Sequence, residues 1–95
     1  MNHALLQSVA QQLLTSETVV LDDEELPISR TGAQRLRAVS FESNGRRLRA
    51  IEQNPDKTSQ WAALARSGHK VVQFRDQLTN RYVAVAVDGK IKEYK

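Results

Sequence analysis

Arginine is the residue type in this sequence best placed to do chemistry. Arg30, Arg35, Arg37, Arg46, Arg47 and Arg49 fall within 20 residues, and arginine outnumbers lysine nine to five over the chain. A guanidinium is planar and permanently charged, and its rigid fork of donors matches phosphate or carboxylate in two-point contact. A cluster of them suits a polyanion, either a nucleic acid or another acidic macromolecule. Arg35, Arg37, Arg46, Arg47 and Arg49 are the residues expected to hold it. The aromatic complement is small: Phe41, Trp61, Phe74, Tyr82 and Tyr94. The apolar pattern assigns Phe41 and Trp61 to the core, which leaves few rings for stacking on bases.

Other chemistries lack their ingredients. His3 and His69 are far apart, with no His-x-His or His-x-x-x-His spacing of the kind that holds zinc. The absence of cysteine removes disulfides, thiolate nucleophiles and cysteine-ligated zinc together. Asp22, Asp23, Glu24 and Glu25 are adjacent, but no apolar neighbour raises a pKa for acid–base work. Gly32, Gly45, Gly68 and Gly89 are isolated and do not form a phosphate-cradling loop. No catalytic residue, cofactor or metal is expected, and the chain is not read as an enzyme.

Charge is divided along the chain. Residues 1–29 carry five acids and no Lys or Arg, a net −5, whereas residues 30–95 carry all 14 basic residues and six acids, a net +8. An acidic leading segment on a basic body suits an external anion, an internal electrostatic mask, or both. The longest apolar run, Tyr82–Val87, is six residues, against about 20 for a membrane-spanning helix. The N-terminus has no basic residue ahead of its apolar stretch, unlike a signal peptide. These features lead to the expectation of a cytoplasmic protein.

The elements that must position the arginines are legible from spacing. Ninety-five residues with 40% apolar and 26% charged content suit one soluble domain, residues 1–95. Leu5, Leu6, Val9, Leu13 and Leu14 recur at helical spacing, which predicts a helix over 3–15 with an uncharged polar side. Its apolar stripe must dock, either on the chain's own sheet or on a second copy. A homodimer or other protein-interaction module is therefore the alternative function. Thr18–Leu21 reads as a strand, Asp22–Glu25 as an exposed turn, and Leu26–Ser29 as extended chain at an edge.

Asn44-Gly45 supplies the positive φ pair of a type I′ hairpin. That turn fixes a register in which Ser43 faces Arg46, Glu42 faces Arg47, Phe41 faces Leu48 and Ser40 faces Arg49. Phe41 and Leu48 then share a core face, and Arg47 and Arg49 share the other. A short helix follows, capped by Thr58 or Ser59, with Trp61, Leu64 and Ala65 directed inward. His69–Arg75 and Arg81–Val87 read as strands, and Asp88-Gly89 turns the last strand back. The class is α+β: a mainly antiparallel sheet of about five to six strands, with an N-terminal helix and a second short helix.

Overall fold

The computed structural model describes residues 1–95 as two helices and eight strands in two antiparallel sheets, an α+β fold. The N-terminal helix α1 (His3–Thr15) begins where the Asn2 side-chain oxygen accepts the Leu5 N–H at 3.1 Å. This bond satisfies one of the amide donors that a helix start leaves unpaired. Leu6, Val9, Ala10 and Leu13 form its buried stripe.

β1 (Thr18–Leu21) and β2 (Glu24–Pro27) pair as a separate two-stranded sheet. Asp22 and Asp23 make the reversal at φ 49° and 64°, the left-handed conformation that Asp tolerates better than most side chains. Glu24 and Glu25 do not share that turn. A two-residue reversal sets them opposite Leu21 and Val20, so they enter the strand. The extended Leu26–Ser29 segment is likewise divided between two sheets. Pro27, which has no N–H to donate, ends β2, and the chain resumes as β3 (Ser29–Thr31) in the larger sheet.

The larger sheet contains β3, β4 (Leu36–Ser43), β5 (Arg46–Glu52), β6 (Val71–Asp76), β7 (Tyr82–Val87) and β8 (Lys90–Glu93) in chain order. Each strand runs antiparallel to the next. Helix α2 (Gln60–Arg66) interrupts the sequence between β5 and β6. Asn44-Gly45 and Asp88-Gly89 all lie at positive φ, and both hairpins keep the register their turns imply, with Phe41 opposite Leu48 and Val85 opposite Lys92.

Alternation gives this sheet an inner and an outer face. The inner face contributes Val39, Phe41, Leu48, Ala50, Val72, Phe74, Ala84 and Ala86 to one buried cluster with α1 and Val19. Phe41 meets Phe74 edge-to-face with ring centroids 6.2 Å apart. On the outer face Ala38, Val71 and Val85 are buried apart from that cluster, and α2 packs on β6 with Ala62 fully buried. No helix is long and apolar enough to cross a membrane.

Trp61 departs from its expected place in the core. It is half-buried on the outer face, edge-to-face with Tyr94 at 6.3 Å between centroids. Lys92 Nζ lies 5.6 Å from its ring centroid, within the range of a cation–π contact. A helix seated on an alanine lies too close to the sheet to fit an indole beneath it, so the ring is turned to the side.

Candidate nucleic-acid interface

Of the five arginines expected to hold an anion, four divide between the two faces of the sheet and one lies in a turn. Arg35 is exposed in the β3–β4 turn at φ 53°. Arg37 lies on the inner side, where its Nε donates to the Leu13 carbonyl at 2.6 Å and its Nη2 donates to the Ser16 carbonyl. Helix α1 has no basic residue in its last turn, and Arg37 supplies from the sheet the positive charge that a helix C-terminus favours. Arg46 is opposite Ser43 in the row above Phe41 and Leu48. Its Nε and Nη2 donate to Asp76 Oδ2 at 3.2 and 3.0 Å. The other Asp76 oxygen accepts the Leu78 and Thr79 amides at 2.8 and 3.2 Å. The Arg46 contact and these amides hold the Asp76 carboxyl below its ordinary range. Arg37 and Arg46 therefore act in the fold itself.

Arg47 and Arg49 share the outer face. Arg47 Nη1 pairs with Glu42 Oε1 at 3.2 Å, and Arg49 Nη1 donates to Ser40 Oγ at 3.3 Å. Their hairpin is not a free two-stranded ribbon, because β6 flanks β5 along Leu48–Glu52 and β3 flanks the base of β4 along Leu36–Ala38, leaving Val39–Ser43 as an open edge. The pairing with β6 brings in a residue the local pattern did not single out. One outer row crosses four strands as Ser40, Arg49, Arg75 and Tyr82. An irregularity at Phe74/Arg75 sets Tyr82 opposite Arg75.

Arg49 and Arg75 are thus like charges in directly opposed positions, an arrangement that destabilises a sheet. Neither forms an ion pair. The Nε of Arg75 is buried and has no hydrogen-bond partner.

The next row holds Ile51, Gln73, Val85 and Lys92. Gln73 donates to Gln53 Oε1 at 2.8 Å and accepts the Tyr94 hydroxyl at 2.7 Å. Burial pushes the Tyr94 phenol above its ordinary value, so it remains a donor at neutral pH. Arg49, Arg75, Tyr82, Ile51 and Gln73 of these rows line a groove of about 820 Å³ that reaches from Thr31 to Trp61 and Tyr94. Ligand sites commonly occupy about 300–1,000 Å³. Lys57 also lines it. The one acidic lining residue, Glu52, accepts the Arg37 N–H at 3.2 Å.

The acidic segment does not cover this groove. Leu21 and Leu26 pack against the inner-face cluster, so the β1–β2 hairpin belongs to the α1 side. Asp22, Asp23, Glu24 and Glu25 form no ion pair. The apolar stripe of α1 is consumed by the chain's own sheet, with only Leu5 and Leu14 half-buried at its margins.

The histidines sit at ties between elements. His3 Nε2 is 2.6 Å from Glu93 Oε2, and His69 Nδ1 is 2.7 Å from Asp88 Oδ2. No three His, Cys, Asp or Glu side chains converge as a metal site would require. No protein-family model, curated protein or solved structure matches this chain.

Proposed function

We propose that this chain is a nucleic-acid-binding module whose contact surface is the outer face of the six-stranded sheet. The observation that carries this reading is the opposed Arg49–Arg75 pair, which has no carboxylate partner and lines an open groove. Two facing guanidinium groups repel each other, and a phosphate between them relieves that repulsion while accepting charge-assisted hydrogen bonds. Lys57 and Lys92 add positive charge on the same side, where Arg47 is offset by Glu42. Of the five arginines expected from the sequence to hold an anion, Arg47 and Arg49 belong to this surface. Self-association through α1 has no comparable support, because its stripe is already buried.

Fluorescence anisotropy with labelled oligonucleotides over a range of salt concentrations tests the reading. Each neutralised phosphate contributes about 0.7–0.9 to the slope of log affinity against log salt. Replacing both Arg49 and Arg75 by Ala is expected to lower that slope by about 1.4–1.8 and to weaken binding by about tenfold or more. Arg37→Ala is the contrasting variant. It should lose about 1.5–3 kcal/mol of stability through its charge-assisted helix contacts and keep the slope. Absence of binding at low salt, or a double variant that binds as the parent does, contradicts the proposal.

A further inference from the structure

We infer that the outer groove takes a single strand rather than a duplex, with bases stacking on its aromatic wall while phosphates meet Arg49 and Arg75. This rests on the nucleic-acid reading above and specifies its ligand. The supporting observation is the distribution of rings. Of the five aromatic residues, Phe41 and Phe74 are buried in the inner cluster, whereas Trp61, Tyr82 and Tyr94 all line the outer groove.

Tyr82 is 50% exposed, so part of its ring is open to the groove. The strand irregularity sets it opposite Arg75, so ring and cation are neighbours across one strand spacing of about 4.8 Å. The Tyr94 N–H donates to the Val83 carbonyl at 3.0 Å, which holds Tyr94 next to Tyr82. Trp61 meets Tyr94 edge-to-face. Trp61 and Tyr94 therefore form a contiguous pair of rings, and Tyr82 lines the same groove beside the cationic row.

A duplex keeps its bases stacked inside and would leave this wall idle, whereas an unpaired strand offers base faces to rings and phosphates to guanidinium groups. The fold also lacks two parts that commonly read a duplex, a free ribbon and a recognition helix. The arginine hairpin is paired with β6 along Leu48–Glu52, so it is not a free two-stranded ribbon of the kind that enters a major groove. Helix α2, at seven residues with Arg66 as its only basic residue, offers no recognition helix.

The chain has one tryptophan, so its fluorescence reports on the groove directly. The test titrates the full chain with oligothymidylate of about 12 nucleotides, a length inside the usual site range. A duplex of equal length and inorganic polyphosphate are titrated in parallel. The single strand is expected to bind about tenfold or more tighter than either competitor and to quench Trp61. Tyr82→Ala should weaken the single strand by about 5- to 150-fold, the usual worth of one stacked base, and Tyr82→Phe should restore it. Because Tyr82 is exposed, both variants are expected to fold, and the comparison of probes on the parent chain needs neither.

Equal or tighter binding of the duplex overturns this inference while leaving the nucleic-acid reading intact. Polyphosphate binding as well as the single strand, or binding without quenching of Trp61, also overturns it. Failure of every probe to bind at low salt removes the broader reading as well.

Discussion

Arg37 and Arg49 belong to one hairpin and work on opposite sides of it. The alternation that sends Arg49 to the outer face sends Arg37 to the carbonyl end of α1, where the helix dipole favours a cation. The same residue type thus secures the fold at one position and leaves its charge available to a ligand at another. Carboxylates make the complementary set of ties. Asp88 is held below its ordinary value of 3.8 by the Lys70 amide and by His69, and Glu93 is held below 4.5 by His3. Asp76 is lowered likewise, chiefly by Arg46. A carboxyl whose folded pKa lies below its unfolded pKa gives its full stabilisation above the unfolded value and loses it as pH falls through the folded one. Urea unfolding is therefore expected to give a steady midpoint from neutrality to about pH 5 and a falling one below about pH 4. Asp88→Asn should lower the neutral midpoint and make the acid limb shallower. An acid limb of unchanged steepness in that variant would show that Asp88 is not one of the groups responsible.

At the scale of elements, local turn chemistry decides most of what forms. Asn44-Gly45 and Asp88-Gly89 could each be paired residue by residue from the sequence, because a two-residue reversal permits one register. The pairing of β5 with β6 was not legible in that way. Eighteen residues, α2 among them, separate Glu52 from Val71, and no local signal states which strand lies beside Arg49. Arg75 was consequently overlooked, although its alternation with Gln73 and Val71 was visible. The division of the arginines was more accessible: the register that places Arg47 and Arg49 outward requires Arg37 and Arg46 inward. The β1–β2 hairpin depends on a side chain outside any strand. Gln12 donates to the Val20 carbonyl at 3.2 Å and accepts the Val20 N–H at 2.7 Å, so its carboxamide substitutes for a neighbouring strand. Gln12→Ala removes bonds worth about 0.5–1.5 kcal/mol each. Exchange of the Val20 amide should quicken by about tenfold or more, with the Phe74 amide much less affected. Unchanged exchange at Val20 would mean that β1 is held by its hairpin partner and not by α1.

Over the whole molecule, the acidic turn and the Arg49–Arg75 pair lie on different sides. The acidic β1–β2 turn accompanies α1, whereas Arg47, Arg49, Arg75 and Lys92 lie across the outer sheet. The asymmetry between residues 1–29 and 30–95 foreshadowed this arrangement, but its spatial form needed the sheet order. The aromatic wall was hidden for a related reason. Trp61 carries the spacing of a core residue, and only the close seating of α2 through Ala62 turns it to the groove. With extents of 34 × 30 × 22 Å, the outer sheet is the broad face the proposed binding uses, and α1 covers the opposite one. Amide chemical-shift mapping during titration with oligothymidylate tests that assignment most directly. The account predicts shifts concentrated at Arg49, Gln73, Arg75, Tyr82 and Tyr94 and near silence along His3–Thr15. Shifts centred on α1 or the β1–β2 hairpin, or scattered evenly over both sides, would contradict it.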